Sequence, residues 1–507
     1  MQLFTLPILS EYPMILTLLG LIAGGLLTLL VGQKSEKGGR ALAALSLLGG
    51  LFLNVLLVLQ IWNGGTVFHD IVWLGNAANP IMTLGFLGDG LSAAVAILIL
   101  GLGLFSVLFS FVYMKELENP GLYYSLMVWF IAAMVGVVYA TNLMQFFIFY
   151  ELMLIPAFIL VYLYGVSEDA QERSKNALQF WVWTALGGLI SLFATFILFG
   201  ATGTMDIAAL YSAPLAVTTA QTIGILFLLG FGIKLGLVPL HVWAPPVYRE
   251  APMPVLVLLS GAMTKTAAYG VIRIVIPIIW ASMETFATGL MAIAIITMFY
   301  GAMMAIAQKD LKMMLAYSSI SQLGYLMFGY SSMTLIGLSG AAFQLINHGI
   351  LASLMFFCAG ALKMKTGTLQ FDKLGGLAPK MPAFATIFII GALALAGTPP
   401  LSAFAGEWMI FAGAAQLATS ADATLVHVIL TILGVVATGL TAGYYLWSVR
   451  RIFYGQVPAE LEQVDDPPKT ILGIGAILAL IVVVLGVWPW ILWRFMNPVL
   501  SGLLGGW

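Results

Sequence analysis

The sequence predicts an all-α polytopic membrane protein, and two observations lead to that fold class. Of its 507 residues, 61% are hydrophobic and only 8% are charged, whereas a soluble domain carries about 25% charged residues. So few charges cannot solvate the surface of a soluble protein, and most of this surface must therefore face lipid. Apolar stretches of roughly 20 residues, the length that a helix needs to cross a bilayer, recur along the whole chain.

Composition also limits the chemistry of the chain. A net charge of −1 gives no sign of nucleic-acid binding, and we expect none. The single cysteine, Cys358, excludes an intramolecular disulfide and any multi-cysteine iron–sulfur or zinc site. Because the sequence carries no nucleotide, flavin or metal signature, we expect neither a cofactor nor a metal in this chain.

About fourteen apolar stretches qualify as transmembrane spans. Backbone groups in lipid must be paired internally, so each stretch is expected to be a helix and not a strand. The connections are short, and the longest polar stretches lie at about 62–89 and 451–470. The predicted spans are 13–32, 41–61, 90–113, 121–140, 143–164, 176–200, 221–243, 252–276, 284–307, 310–330, 334–362, 383–412, 425–450 and 471–493.

Basic residues are divided unevenly between the two sets of loops. The loops after even-numbered spans, on one side of the predicted membrane, hold only Arg273 and Arg494. Because cytoplasmic loops carry an excess of lysine and arginine, we expect the odd loops inside and both termini on the outer face of a prokaryotic cell membrane. The loops after odd-numbered spans hold Lys34, Lys37, Arg40, Lys115, Arg173, Lys175, Arg249, Lys309, Lys312, Lys363, Lys365, Lys373, Lys380, Arg450, Arg451 and Lys469.

The spans divide into two blocks of five, spans four to eight and spans nine to thirteen. Because five is odd, the second block enters from the opposite side, which is the inverted topology of many ion carriers. Each block has one span that proline breaks, span 7 at Pro239 and span 12 at Gly397-Thr-Pro-Pro400. Ordinary proline kinks in a large bundle are the alternative. The predicted segments are an N-terminal three-helix segment 1–120, repeats 121–280 and 281–455, and a C-terminal loop and last helix 456–507.

Two opposite charges lie inside two spans of the first block. Glu151 has long apolar flanks in span 5, and Lys234 lies among glycines in span 7. A charge at mid-membrane costs about 2.5–3.5 kcal/mol on insertion scales, so the two are expected to be partners. A purely structural ion pair, or a lysine that reaches to the membrane surface, would explain them without a function.

Three further ionisable residues lie within later spans: Lys265 in span 8, His348 in span 11 and Glu407 just after the break of span 12. A lysine in a low-dielectric site can exchange its proton near neutral pH, and imidazole both accepts and donates. Alternatively, the histidine is only hydrogen-bonded in the core and Glu407 belongs to a structural pair. Acids and bases at mid-depth are what a proton relay needs, and its energy must come from a partner protein.

Three other polar residues are weaker candidates. His241 follows the break of span 7 and is either part of a proton entrance or an interfacial histidine. His427 begins span 13 and is a candidate for an exit-side relay. Asp89 is expected to cap the third span, since aspartate is a good N-cap.

The residues around spans 7, 8 and 10 resemble the antiporter-like proton-translocating subunits of respiratory complex I. The resemblance rests on Lys234-Leu-Gly-Leu-Val-Pro-Leu-His241-Val-Trp243, on Leu259-Ser-Gly-Ala-Met-Thr-Lys265 and on Ala307-Gln-Lys-Asp-Leu-Lys312. It implies fourteen spans, the inverted repeat, a coupling pair at Glu151 and Lys234, and a central relay at Lys265. It also implies partners: other membrane subunits with homologous antiporter-like chains, and a quinone or phenazine bound elsewhere in the complex.

The sequence also departs from the pattern of that family. Trp243-Ala-Pro-Pro246 replaces the usual Trp-Leu-Pro-Asp-Ala-His, so no entrance role is carried over to an aspartate or second histidine there. Gln322 replaces a histidine that is frequent in the tenth span; it cannot titrate, so that relay step must use water or His348. Subunits of multi-subunit Na+/H+ antiporters and of membrane-bound hydrogenases are the alternative, and a stand-alone solute carrier or a structural scaffold fits the residues less well.

Overall fold

The computed structural model is almost entirely helical. It describes the backbone of residues 11–76 and 79–505 and, apart from 74–76, 79–82, 279–285 and 504–505, their side chains. A few short 3₁₀ and π turns connect the elements. The helices are α1 Pro13–Gly32, α2 Glu36–Ile61, α3 Gly90–Tyr113, α4 Pro120–Tyr139, α5 Leu143–Leu152, α6 Leu154–Tyr164, α7 Ala170–Thr202, α8 Ile207–Leu210, α9 Val217–Leu235, α10 Ala244–Glu250, α11 Met253–Leu258, α12 Thr264–Gly270, α13 Ile276–Ile306, α14 Leu311–Ser331, α15 Leu335–Thr366, α16 Pro382–Leu395, α17 Ser402–Ala418, α18 Leu425–Phe453, α19 Lys469–Val487 and α20 Trp490–Gly505.

Most of the predicted spans coincide with long apolar helices. Among the described residues, 12 helices are long and apolar enough to cross a membrane. The predicted tenth span is the continuous but more polar helix α14, and the predicted twelfth span is the two shorter helices α16 and α17. The all-α membrane fold is therefore confirmed, while the count of fourteen spans and the division into two five-helix repeats stay predictions.

Both predicted breaks are present and have the same local cause. Helix α9 ends at Leu235, where Gly236 adopts a φ of +75°, and α16 ends at Leu395, two residues before Gly397 with a φ of +71°. Positive φ is readily adopted only by glycine. The prolines that follow lack a backbone N–H and cannot continue the helix.

Further interruptions flank the candidate residues of spans 5 and 8. Helices α5 and α6 meet at Met153, two residues after Glu151. Two π-helical turns, Leu259–Met263 and Val271–Val275, lie on either side of α12, which carries Lys265. Single π turns inside helices occur frequently at functional sites.

The polar stretch 62–89, expected to be a connection, contains an antiparallel hairpin of β1 (Val67–Asn76) and β2 (Asn79–Gly88). An isolated two-stranded hairpin is marginally stable in water, so packing must support this one. The Gln145 side chain accepts a hydrogen bond from the Gly85 backbone N–H at 3.1 Å. A Cβ at Gly88 would overlap the side chain of Leu57 in α2.

A second difference lies at the C-terminal end, where α20 follows the last predicted span. The helix packs closely on the start of α3, because a Cβ at Gly90 would overlap the backbone carbonyl of Phe495. Arg494, expected in a loop, is an exposed residue of this helix.

The centre of the bundle is formed by two spans. The span Met253–Ile278 and helix α15 are buried throughout their apolar parts, whereas only 22% of the apolar part of α18 and 33% of that of α19 are buried. Lys265 and His348 lie on these two central spans, and both side chains are buried.

Candidate functional site

Lys234 lies in the last turn of α9, where two helices approach each other closely. A Cβ at Gly230 would overlap Ser191 and the backbone carbonyl of Gly187, so α7 and α9 touch through their backbones. The lysine one turn later is completely buried. Its Nζ donates to the backbone carbonyl of Tyr150 at 3.0 Å and lies 3.5 Å from the centroid of the Tyr150 ring.

Glu151 lies next to Lys234 but is not bonded to it. No salt bridge within 4 Å joins these two described residues, although Lys234 donates to the carbonyl of Tyr150, the residue before Glu151. The carboxylate packs instead against α7, since a Cβ at Gly188 would overlap it. Its buried Oε1 has no hydrogen-bond partner in the structure. The two residues of the predicted pair thus lie near each other without a salt bridge, which we call the open state of the pair.

Lys265 and His348 are in direct contact. The Nζ of Lys265 lies 2.9 Å from Nδ1 of His348 and donates to the backbone carbonyl of Ser260 at 2.6 Å. Both side chains are buried, with exposed fractions of 0% and 1%. The first π turn supplies the Ser260 carbonyl, because a π turn displaces backbone groups from the regular i→i−4 pairing.

A row of side-chain amides connects the neighbourhood of His348 with Glu407. Asn347 donates from Nδ2 to Oε1 of Gln344, and Gln344 donates from Nε2 to Oε1 of Gln322, each at 2.9 Å. The row comes next to Glu407 at Gly406, where a Cβ would lie 2.7 Å from Oε1 of Gln344, and Nε2 of Gln322 has no hydrogen-bond partner in the structure. Glu407 also lies against the break of the twelfth span, where a Cβ at Gly397 would be 2.6 Å from its Oε2.

Helices α14 and α18 share a cluster of buried hydroxyl groups that sequence reasoning did not predict. Ser318 lies 2.8 Å from the Tyr444 hydroxyl and 2.7 Å from that of Tyr445. The Tyr325 hydroxyl lies 3.3 Å from Oγ1 of Thr441. All five side chains are buried, and their hydroxyl groups join α14 to α18.

The two other histidines among the predicted site residues differ in their surroundings. His241 packs edge-to-face on Tyr300 at 4.7 Å between centroids, and its Nδ1 has no hydrogen-bond partner. His427 caps the start of α18: its Nδ1 accepts from the Thr424 backbone N–H at 3.2 Å, and its Nε2 lies 2.7 Å from Oγ1 of Thr288. Both ring nitrogens of His427 therefore have a hydrogen-bond partner, and its place in an exit-side relay stays a prediction.

Asp89 caps α3 as expected and makes a second contact that the sequence did not predict. Its side chain accepts from the backbone N–H groups of Leu91 and Ser92. Arg273 donates to the same carboxylate at 2.7 Å and, through Nε, to the Tyr269 hydroxyl at 3.0 Å. Arg273 was expected in an outer loop, but the second π turn turns it inward, where it is only 4% exposed.

Lys312 was also assigned wrongly to a loop. It lies in the first turn of α14, is only 7% exposed, and donates to the backbone carbonyls of Arg249 and Ala251 at 2.7 and 2.8 Å. Between those two carbonyls in sequence is Glu250, a buried carboxylate that accepts from the backbone N–H of Ser167 at 2.8 Å. Both residues lie near span ends, where no apolar run on both sides marks them as buried.

Comparison with known proteins finds many relatives. The family described as "NADH:quinone oxidoreductase/Mrp antiporter, TM" matches residues 140–437. The chain is 36% identical over 409 residues to NAD(P)H-quinone oxidoreductase chain 4 3 of Trichormus variabilis, covering 79% of this chain and 74% of the relative. It is 32% identical over 496 residues to NADH-quinone oxidoreductase subunit M of Pseudomonas aeruginosa, covering 92% of each.

A solved structure shows the same fold. A chain of respiratory complex I from Thermus thermophilus with bound NADH superposes with a TM-score of 0.84 at 27% identity. The match covers 97% of this chain and 99% of that one. The range matched by the family, 140–437, contains the positions of both broken spans and of the five predicted relay residues.

Proposed function

The chain belongs to the NADH:quinone oxidoreductase/Mrp antiporter membrane family, and from that premise we propose that it is an antiporter-like, proton-pumping subunit of a complex I-type oxidoreductase. Its relative in Pseudomonas aeruginosa is named subunit M. We propose the corresponding place for this integral membrane protein. Its partners are then other membrane subunits, including homologous antiporter-like chains, and the chain itself carries no redox group.

The observation that supports this proposal best is the contact between Lys265 and His348, 2.9 Å apart in the buried centre of the bundle. A buried ammonium is costly unless it is well paired, and a neutral imidazole is a weak partner for it. If both groups were protonated, two positive charges would repel each other in a buried site. Lys265 and His348 therefore compete for a single proton. Such a pair is suited to passing a proton on.

The proposed sequence of steps begins at Glu151 and Lys234. Redox chemistry in other subunits changes the electrostatics of a neighbouring membrane chain, and that change closes or opens this pair. When Glu151 is withdrawn, Lys234 loses the opposite charge that favours its protonated form. Its proton passes to Lys265, then to His348, and by way of water beside the amide row to Glu407. From there it leaves towards the outer face.

Location and orientation belong to the same proposal. We place the chain in the cell membrane of a prokaryote, with both termini outside and the loops rich in lysine and arginine in the cytoplasm. The quinone or phenazine acceptor binds elsewhere in the complex.

The decisive test is Glu151→Gln in the intact complex, assayed in vesicles for protons moved per reductant oxidised. We expect pumping to fall at least tenfold, because the amide cannot attract Lys234 as a charge. Glu118→Gln, a change at an exposed glutamate of a loop, is the matched control and should pump normally. Normal pumping by Glu151→Gln would contradict the proposal, and sodium-dependent proton exchange without any reductant would indicate an exchanger instead.

A further inference from the structure

We propose that Tyr150 is a positioning residue for Lys234: its ring face and its backbone carbonyl hold the ammonium group whenever Glu151 is not its partner. The inference rests on the proposed function, since it concerns the open state of the coupling pair. It gives Lys234 two alternative partners that are consecutive in the chain. One partner is a carboxylate and the other is neutral.

The geometry of Lys234 carries the proposal. A cation within about 6 Å of an aromatic centroid is attracted by the ring, and the attraction grows when water is excluded. Here the distance is 3.5 Å, and the lysine is completely buried. The Tyr150 carbonyl accepts from the same Nζ at 3.0 Å, so ring and backbone act on one ammonium group.

The structure also shows which part of Tyr150 is used. Its hydroxyl is buried and has no hydrogen-bond partner, so the face of the ring and not the hydroxyl makes the contact. Two neighbours hold the ring in place: Phe146 stacks on it at 5.5 Å, and Phe231 meets it edge-on at 5.6 Å. Phe231 lies three residues before Lys234 in α9, so the ring is fixed relative to the helix that carries the lysine.

The position of Glu151 completes the argument. Its carboxylate lies in the space left by Gly188 on α7, while the residue before it contacts Lys234. The ammonium group thus stays in place after the carboxylate is withdrawn, until its proton passes on to Lys265. Without the ring, the open state would leave the ammonium with a single carbonyl as its partner.

The test varies the electron density of the ring while its shape is kept. In the intact complex the series starts from Tyr150→Phe, which keeps the ring and removes only the unpaired hydroxyl. Mono-, di- and trifluorinated phenylalanine at position 150 progressively weaken the negative face of the ring. We expect protons pumped per reductant oxidised to decline with each fluorine, by about threefold to thirtyfold over the series. The same series at Phe146, which stacks on Tyr150, is the matched control and should stay flat.

Each result has one meaning. A flat series at position 150 would overturn the role of Tyr150, and so would equal declines at positions 150 and 146, which indicate packing alone. Glu151→Gln in the same vesicles separates the two proposals. If that variant pumps normally, the proposed function and this inference both fail; if it is blocked while the position-150 series is flat, only the role of Tyr150 fails.

Discussion

Lys265 and His348 touch directly although 83 positions separate them in the chain. Sequence reasoning placed both in the relay but could not show their contact, because contacts between distant spans depend on how helices pack. The five relay residues stood out because a charge inside an apolar run is costly and needs a reason. Arg273 and Lys312 were missed because they lie near span ends, where a lysine or arginine is ordinary.

Lys265→Met tests the residue at the centre of the relay. Methionine fills a similar volume but holds no proton, so we expect coupled pumping to fall at least tenfold while the complex still assembles. The measurement is proton uptake by vesicles that contain the intact complex. Lys363→Met is the control, since that lysine is exposed in the last turn of α15. Pumping at the wild-type rate by Lys265→Met would remove this residue from the path.

At the scale of elements, glycines set the distances that the site requires. Helices α7 and α9 touch at Gly187 and Gly230, and Gly188 leaves room for the Glu151 carboxylate. The sequence indicated both broken spans, because glycine and proline act locally on the backbone. The hairpin at 67–88 was not predicted, because its stability depends on packing against α2 and α5 and not on its own residues.

Gly188→Ala should displace the Glu151 carboxylate, because the added methyl group would overlap it. We expect a loss of pumping of roughly tenfold, together with a lower melting temperature of the complex, since overpacking a close-packed site typically costs about 1–3 kcal/mol. Gly200→Ala in the same helix is the matched control, because a Cβ there meets nothing within 4 Å. Equal behaviour of the two variants would refute the role of this contact.

Asp89→Asn tests the buried ion pair between α3 and the second π turn. Asparagine still caps the helix but leaves Arg273 charged and unpaired. Breaking a buried pair from one side costs about 3–5 kcal/mol, so the thermal unfolding temperature of the purified complex should drop by several degrees. Adding Arg273→Gln to Asp89→Asn should restore part of the loss; no recovery would show that the pair is not the cause.

Asp465→Asn at an exposed ion pair provides the contrast. Lys365 holds the pKa of Asp465 below its ordinary value of about 3.8. A carboxylate with a lowered pKa adds stability above its unfolded pKa and loses it as the pH falls through the folded one. The Lys365–Asp465 ion pair therefore makes its full contribution to stability at neutral pH. That contribution is small because water screens the two charges. We expect Asp465→Asn to lower the melting temperature at pH 7 by less than Asp89→Asn does.

At the scale of the whole molecule, the exposed surface of the chain suits a subunit of a larger membrane complex. Its central spans are buried within the chain, while long apolar faces of α7, α18 and α19 remain exposed to lipid or to neighbouring subunits. Composition alone predicted the membrane, because so few charges exclude a soluble surface. Which faces meet partner chains does not follow from one sequence, since lipid and protein both favour apolar residues.

Mass spectrometry of the gently solubilised native complex tests this larger assembly. We expect the chain to co-purify with homologous antiporter-like subunits and with subunits that carry iron–sulfur clusters and a quinone site. The electron-input subunits found with it would also identify the donor. Recovery with small antiporter partners only, or recovery alone, would contradict the oxidoreductase assembly.

The amide row of Asn347, Gln344 and Gln322 has an electrical consequence for a pump at rest. Carboxamides orient and polarise one another, but near neutral pH they neither take up nor give up a proton. In the relay proposed above, a proton would therefore pass from His348 to Glu407 only while water lies beside these amides. A voltage across the membrane would then drive few protons back through the resting protein. The rate of this proton leak would depend on how often water lies beside the amides.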